Sequence, residues 1–222
     1  MPLLASFVCA PAALPVGCAG QTGPSSGKSR RGSAAVYNPV PMDTFKSTTV
    51  LLVRRDGKVC MASDGQVTMN QNTIVKGGAR KVRRAGKGGK VLVGFAGGGA
   101  DALALFGRLE EKLEEFNGNL ERSVVELAKD WRTDRALRQL QAMIIVTDKD
   151  KSFFVSGAGE LMQPDDDEPV LAIGSGANYA LSAARALLRH TTMSAQEVVR
   201  EAMKIASEIC IFTNDRLTVE EL

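Results

Sequence analysis

A pair of adjacent threonines marks the point at which the chain becomes able to fold. Thr48 and Thr49 open an apolar run, residues 48–53, whose composition and length predict a buried strand. The 47 residues before them hold six of the eight prolines, are rich in Ala, Ser and Gly, and contain one acid, Asp43. Such a segment cannot bury enough apolar surface to offset the entropy of ordering it. We therefore predict that residues 1–47 form a disordered leader and that residues 48–222 form one folded domain.

The net charge of the chain resides in that leader. The first 47 residues carry four basic side chains and one acidic side chain, and this excess equals the formal net charge of +3 of the whole chain. The remaining residues are formally neutral, so they lack the basic excess typical of nucleic-acid binding, and we expect no nucleic-acid partner. No apolar run reaches the roughly 18 residues of a membrane span, so we expect no membrane partner. A basic, acid-poor leader is typical of an organelle transit peptide, with a plain disordered tail as the alternative.

Two of the four cysteines, Cys60 and Cys210, lie in the folded part, each within an apolar periodic segment. Two isolated cysteines of this kind do not make a disulfide framework. We expect both to be buried free thiols in a reducing compartment.

The strand pattern begins with a hairpin. Two β-rich runs, residues 48–55 and 58–64, are joined by Asp56-Gly57, a strong two-residue turn signal. Further strands are predicted at residues 72–75, 79–84, 90–96, 141–147, 152–155 and 170–173.

Two pairs of helices interrupt and end this strand pattern. Apolar residues at helical spacing predict one pair between residues 102 and 131, and a second pair after residue 173. The last helix begins at Ser194, with Glu197 three residues later as a capping box. Strands followed by helices, twice over, predict an α+β fold in which two sheets lie between two helix pairs.

Thr48 can supply both a nucleophile and a base. If the chain is cut after Ser47, Thr48 carries a hydroxyl and a free α-amine that can accept the hydroxyl proton. The single histidine, His190, lies at a predicted helix end and indicates a structural role. Lys81 is a candidate cation to favour the neutral amine, and Asp64 a candidate carboxylate to pair with that lysine. On spacing alone, a solvated lysine at a strand edge and a simple turn at Asp64 remain open.

Two glycine turns, Gly97-Gly98-Gly99 and Gly174-Ser175-Gly176, each lie between a predicted strand and a helix. Backbone N–H groups in the first can stabilise an oxyanion, and Ser175 in the second can bond to the amine or to the leaving group. A phosphate cradle is the rival interpretation. Neither turn has the Gly-Lys-Ser/Thr ending of a P-loop or the spacing of a dinucleotide site, so nucleotide binding is the weaker hypothesis.

Together these residues resemble the HslV (ClpQ) family, peptidases related to proteasome β-subunits. The resemblance covers residues 48–222 almost without gaps, and the run Lys-Asp-Trp-Arg-Thr-Asp-Arg at residues 129–135 is highly specific. Further matching blocks lie at residues 48–55, 64–68, 81–84, 94–98 and 172–176.

The resemblance implies a four-layer α-β-β-α sandwich of the N-terminal nucleophile hydrolase type and a threonine-type endopeptidase. The catalytic residues it implies are Thr48 as nucleophile, Lys81, Asp64, Ser175 and the oxyanion amide of Gly97. Thr68 and Gly98 are implied to bind substrate. A sodium ion is implied at the backbone carbonyls of Ser207, Cys210 and Thr213.

The resemblance also implies partners. These are a homo-oligomeric double ring of two hexamers, and an HslU-type AAA+ ATPase hexamer that consumes the ATP and threads unfolded proteins into the ring. We expect location in the mitochondrial matrix, with the plastid as alternative. A non-catalytic ring scaffold with an uncut leader, and an amidase acting on small molecules, are the alternative functions. Ser47 stands where self-cleaving proteasome subunits usually carry Gly, so a leader peptidase is expected to make the cut.

The leader hypothesis predicts the N-terminus of the mature protein. Intact mass and N-terminal sequencing of protein from its native compartment should give a chain that starts at Thr48, because only then is the α-amine free. A start at Met1, or at any other residue before Thr48, would leave that nitrogen in an amide and contradict the nucleophile hypothesis.

Overall fold

Two antiparallel sheets lie face to face between two pairs of helices in the computed structural model, which describes residues 48–70, 72–140, 142–157 and 159–222. The predicted leader, residues 1–47, lies outside the described residues. The strands are β1 (Thr49–Arg55), β2 (Lys58–Ser63), β3 (Val67–Met69), β4 (Thr73–Lys76), β5 (Val82–Ala85), β6 (Val91–Gly97), β7 (Ala142–Thr147), β8 (Ser152–Ser156), β9 (Leu161–Met162), β10 (Val170–Gly174) and β11 (Thr218–Glu221). The helices are α1 (Gly99–Glu115), α2 (Leu120–Thr133), α3 (Ala177–His190) and α4 (Ala195–Ile209), and Leu137–Gln139 forms a short 3-10 turn.

The first sheet has the strand order β10-β1-β2-β11 and grows from the predicted hairpin. Asp56 and Gly57 both have positive φ, 53° and 73°, which suits the tight turn that joins two twisted strands. β1 pairs along its other edge with β10, so that Thr49 lies opposite Gly174. This pairing brings the start of β1 next to the glycine turn that follows β10.

The second sheet has the order β5-β6-β7-β8-β9, and β3 and β4 form a separate hairpin. β6 lies between β5 and β7, with Val82 opposite Gly94 and Phe95 opposite Ile144. The glycines that follow β6 lead directly into α1, whose first residue is Gly99. The sheet therefore places the first glycine turn at the end of β6, beside the residues that precede β5.

Side chains alternate across both sheets and build three apolar layers. Between the sheets lie Val50, Leu52, Val59, Met61, Val82, Leu92, Ala96, Ile145 and Ile173. The opposite face of the first sheet packs on α3 and α4, and the opposite face of the second sheet packs on α1 and α2, where Trp131 is fully buried. The predicted four-layer α-β-β-α arrangement is confirmed.

The start of α4 and the end of α1 both carry sequence signals of helix termini. Ser194 accepts a hydrogen bond from the amide of Glu197, whose carboxylate in turn bonds to Ser194, so the predicted capping box is confirmed. α1 ends before Asn117 and Gly118, which both have positive φ, 52° and 81°.

Cys60 and Cys210 are buried free thiols, as predicted. No helix within the described ranges combines the length and the apolar character that crossing a bilayer requires.

The strand predictions were incomplete. β3, β9 and β11 were missed because they are short and β11 carries two acids, while its stability comes from pairing with β2. The strand predicted at residues 79–84 begins only at Val82, since the amide of Ala79 bonds to the carbonyl of Gly65 instead of a sheet neighbour. Residues 79–81 lie before β5 and line a cleft.

The space around two glycines predicts opposite effects of their substitution on stability. A Cβ at Gly94 would lie 2.5 Å from Val50 Cγ1 and 2.9 Å from Met61 Sδ, so Gly94→Ala should lower the free energy of unfolding by about 1–3 kcal/mol. Gly107 lies within α1 and a Cβ there meets nothing within 4 Å, so Gly107→Ala should raise stability by about 0.5–1 kcal/mol. Urea unfolding at one protein concentration measures both. Equal midpoints for the two variants would contradict the packing described here.

Candidate active site

Thr48 is held at the start of β1 by the glycine turn after β10. Its carbonyl accepts a hydrogen bond from the amide of Ser175 at 2.8 Å. Gly174 has a φ of +96°, and a Cβ there would lie 1.8 Å from the Thr48 carbonyl oxygen. Only glycine allows this approach, so the turn fixes the backbone of Thr48. Thr48 is 6% exposed.

A buried ion pair lies beside it. Lys81 Nζ donates to Asp64 Oδ1 at 2.9 Å, and the two side chains are 9% and 0% exposed. The carboxylate also accepts the amide of Thr49 on Oδ1 at 2.7 Å and the amide of Gln66 on Oδ2 at 2.8 Å. Three donors thus compensate a carboxylate that is cut off from water, which makes its burial tolerable.

The ammonium group of Lys81 is balanced between two opposing effects. Burial lowers the pKa of Lys81 below the ordinary value of a lysine, although the charge of Asp64 and its hydrogen bond act in the opposite direction. The carbonyl of Gln66 accepts a second hydrogen bond from Nζ at 2.5 Å. Lys81 is therefore a fixed group with a perturbed pKa in a cleft, which is typical of a functional site.

A cleft of about 560 Å³ opens at Thr48 and Lys81. Its wall includes Gly97, which has a φ of +123°, and Gly98, the residue that precedes α1. The first amides of a helix have no intrahelical acceptor, so this end of α1 can accommodate an anion. The cleft is further lined by Val67, Ala79, Arg80, Arg83, Phe95, Gly99, Ala100, Ala102 and Leu103.

The other residues predicted for the site lie around this cleft in different ways. Ser175 is exposed, and its amide is the one that holds Thr48. Thr68 is buried, and its hydroxyl accepts a hydrogen bond from Gln66 Nε2 at 3.1 Å, while its neighbour Val67 lines the cleft. The catalytic and substrate-binding roles of these residues remain predictions.

The three residues predicted to bind sodium lie at the end of α4. Ser207 is in the last turn of the helix, Cys210 is its C-cap, and Thr213 follows in the next turn. The carbonyl of Cys210 accepts a hydrogen bond from the amide of Thr213 at 3.0 Å. The structure thus places all three in one short segment.

Comparison with known proteins identifies the family of the chain. Residues 44–222 match the model of the proteasome subunit family. The ATP-dependent protease subunit HslV of Pseudothermotoga lettingae is 59% identical over 178 residues, which is 80% of this chain and 99% of the relative. The same subunit of Staphylococcus carnosus is 57% identical over 180 residues, with coverage of 81% and 99%. The chain belongs to the HslV family.

Solved structures agree with this family. The crystal structure of eukaryotic HslV from Trypanosoma brucei matches with a TM-score of 0.75 and 42% identity, over 78% of this chain and 98% of that one. The Thiobacillus denitrificans protein BPH in complex with epoxomicin has a TM-score of 0.58 at 19% identity, over 78% of this chain and 97% of that one, and shows the fold alone. The predicted fold and the predicted enzyme class, a threonine peptidase of the proteasome type, are confirmed. The predicted role as the proteolytic subunit is supported over the scaffold alternative.

Sequence reasoning missed the side chains that tie the site together. Thr49 Oγ1 lies 2.7 Å from Thr213 Oγ1 and accepts the amide of Gly176 at 2.9 Å. A Cβ at Gly176 would lie 2.4 Å and 2.6 Å from these two hydroxyl oxygens. A polar side chain at a buried position of an apolar strand was the available signal at Thr49, but its partner is 164 residues away.

Two other reactive side chains of the described residues, those of Cys60 and His190, are poorly suited to the reaction. Burial raises the pKa of the Cys60 thiol to about 12, with Glu221 adding to the effect, so this cysteine stays protonated at neutral pH. His190 is exposed at the end of α3 and is not among the residues that line the cleft. Thr48 carries the hydroxyl group among the side chains that line the cleft.

The ion pair predicts the effect of removing its negative charge. Asp64→Asn leaves Lys81 buried without a counter-charge, which should lower the free energy of unfolding by about 3–5 kcal/mol. It also removes an effect that raises the pKa of Lys81. The alkaline limb of the activity profile should therefore lie at lower pH than in the unmodified chain. Urea unfolding and a pH profile of peptide hydrolysis measure the two effects.

A matched control is Glu111→Gln, which makes the same chemical change in the exposed pair with Arg108. It should leave the unfolding midpoint and the pH profile unchanged, because exposed pairs contribute little. If Asp64→Asn behaved like this control, the role assigned to the buried pair would be wrong.

Proposed function

We propose that the chain hydrolyses peptide bonds as the proteolytic subunit of an ATP-dependent protease, with Thr48 as the nucleophile after removal of the leader. The observation that carries this proposal is that Thr48 opens a cleft of about 560 Å³ next to the buried Lys81–Asp64 pair. The relatives named ATP-dependent protease subunit HslV are matched over 99% of their length, so their function extends to this chain.

The reaction proceeds in two acyl-transfer steps. The Thr48 hydroxyl oxygen attacks the peptide carbonyl carbon while the α-amine of the same residue accepts the hydroxyl proton. The amide of Gly97 stabilises the oxyanion, and the proton passes to the leaving amine as the C–N bond breaks. Water then adds to the acyl-enzyme ester, the α-amine again relays the proton, and Thr48 is released with its hydroxyl restored.

The α-amine must be neutral to act as the base. An ordinary α-amine titrates near 7.7–8.0, and a neighbouring cation lowers that pKa. Lys81 supplies the cation, and Asp64 together with the Gln66 carbonyl holds it in place. Ser175, whose amide fixes Thr48, is exposed at the same point and contributes a hydroxyl for the amine or the leaving group.

Substrate lies along the strand segment and the glycine turn that flank the cleft. Thr68 on β3 and Gly98 before α1 bind the substrate backbone, and the apolar wall that includes Phe95 and Leu103 receives a side chain. Extended peptides can add to a strand through main-chain hydrogen bonds.

The leader is removed before the chain becomes active. The family match begins at residue 44, so the proline-rich segment before it lies outside the family. Its basic, acid-poor composition suits import into an organelle, and we place the mature protein in the mitochondrial matrix, with the plastid as alternative.

The end of α4 fits a monovalent cation. The last carbonyls of a helix have no intrahelical donor, which applies to Ser207, and the carbonyl of Cys210 accepts one hydrogen bond and keeps a second lone pair. Neutral oxygen ligands suit a hard cation such as sodium. Ser207, Cys210 and Thr213 would hold the ion through their backbone carbonyl oxygens. The positive charge of the ion would offset the partial negative charges of these oxygens.

Unfolded proteins reach the site through partners. Copies of this chain form a double ring of two hexamers that encloses Thr48, and a hexameric HslU-type AAA+ ATPase binds and hydrolyses ATP, unfolds the substrate and threads it into the ring. The relatives' printed name, an ATP-dependent protease subunit, supports an ATP-using partner, since neither glycine turn of this chain has a P-loop ending.

Substitution of the nucleophile tests the proposal. Thr48→Ala should reduce hydrolysis of a fluorogenic peptide by at least about 1000-fold, whereas Thr48→Ser, which keeps a hydroxyl, should retain measurable activity. Thr73→Ala, a change at an exposed threonine on β4, is the control and should be fully active. The mass of each variant shows whether its leader has been removed. Full activity of processed Thr48→Ala would contradict the proposal.

A further inference from the structure

Gln66 contacts more of the site than any role described so far requires. It is 3% exposed and lies between Asp64 and β3. Its amide donates to Asp64 Oδ2 at 2.8 Å, and its carbonyl accepts from Lys81 Nζ at 2.5 Å. The backbone of this one residue therefore touches both members of the buried ion pair.

The side chain of Gln66 fixes that backbone to two other elements. Nε2 donates to Thr68 Oγ1 at 3.1 Å and to the carbonyl of Ile211 at 2.9 Å. A carbonyl can only accept, so the atom that faces Ile211 must be the amide nitrogen, and this settles the orientation of the group. Both N–H bonds of Nε2 are then used, one toward β3 and one toward the segment after α4.

The neighbouring residues show that this segment is itself firmly placed. Asn214 Oδ1 accepts the amide of Gly65 at 3.0 Å, and Asn214 Nδ2 donates to the carbonyl of Gly77 at 3.0 Å. Thr213 contacts Thr49 through their hydroxyl groups. The segment after α4 is therefore a fixed support, and Gln66 connects it to the acceptor of Lys81.

We propose that Gln66 is a positioning residue: its side-chain amide, anchored on Thr68 and on the Ile211 carbonyl, holds its own backbone carbonyl as an acceptor for Lys81. This inference rests on the proposed function, because it assumes that Lys81 acts on the amine of Thr48. Loss of the anchor would let the carbonyl move and leave Lys81 with a weaker set of acceptors.

The charged groups around Lys81 determine the direction of the effect. Asp64 pairs with Lys81, and Arg80, Arg83 and Thr48, whose α-amine is free after processing, line the same cleft. Asp64 alone carries negative charge in this set. A lost carbonyl acceptor would therefore favour neutral Lys81 and move the alkaline limb of the activity profile to lower pH.

The test uses the processed full chain assembled with its ATPase partner and a fluorogenic peptide. Gln66→Met keeps the length of the side chain and removes both donors, and Gln66→Glu places an acceptor against the Ile211 carbonyl. We expect kcat to fall by up to about 100-fold in both, with KM within about two-fold, since misplacement of a group by about 1 Å can cost that much. The alkaline limb should shift to lower pH in Gln66→Met.

A buried threonine far from the site supplies the control. Thr147, at the end of β7, bonds through its hydroxyl to the carbonyls of Asp148 and Lys151. Thr147→Val also removes a buried hydrogen-bonding group, and it should lower the unfolding midpoint without moving the pH limb. This separates a positioning role from a loss of stability.

The outcomes are distinct. A Gln66→Met protein with unchanged kcat, or with reduced kcat and an unmoved alkaline limb, would overturn the inference. If that variant does not fold, Thr68→Val removes one of the two anchors and should give a smaller shift of the limb in the same direction, and no shift would overturn the inference. Failure of the proposed function would look different, since the unmodified chain itself would then be inactive or Thr48→Ala active.

Discussion

The site depends on one buried carboxylate. Asp64 is closed off from water and is satisfied by the ammonium of Lys81 and by the amides of Thr49 and Gln66. A carboxylate in this position is costly unless each of its partners is held in place, so the surrounding elements must converge on it. Thr49, which follows the proposed nucleophile Thr48, is one of those partners, so the position of Thr48 is linked to the charge of the ion pair.

The two sheets bring these partners together from distant parts of the chain. The first sheet contributes Asp64 at the end of β2 and, through the pairing of β1 with β10, the turn that holds Thr48. The residues before β5 contribute Lys81, and the end of β6 contributes the glycines of the cleft. The apolar layer packed between the sheets fixes their separation and so fixes the distances between these partners.

Candidate residues of the site could be predicted from the sequence, while the residues that support them could not. Thr48 could be proposed because a hydroxyl and a free α-amine on one residue can supply both nucleophile and base. Lys81 and Asp64 stayed open on spacing alone, and the family resemblance implied their roles. Gln66 could not be proposed, since its contact with the Ile211 carbonyl spans 145 residues and involves a backbone atom. The α+β layers followed from the periodicity, but β11 did not, because its four residues are ordered by pairing with β2.

The most direct measurement of the role of the ion pair is the pH dependence of acylation at the N-terminal threonine. The processed protein is treated with an electrophilic peptide, and intact mass and peptide mapping follow the adduct over a range of pH. A nearby Lys81 ammonium predicts an adduct on Thr48 whose rate has an acid midpoint below the ordinary α-amine value of about 7.7–8.0. An adduct on another residue, or a midpoint at or above that value, would contradict the arrangement proposed for the site.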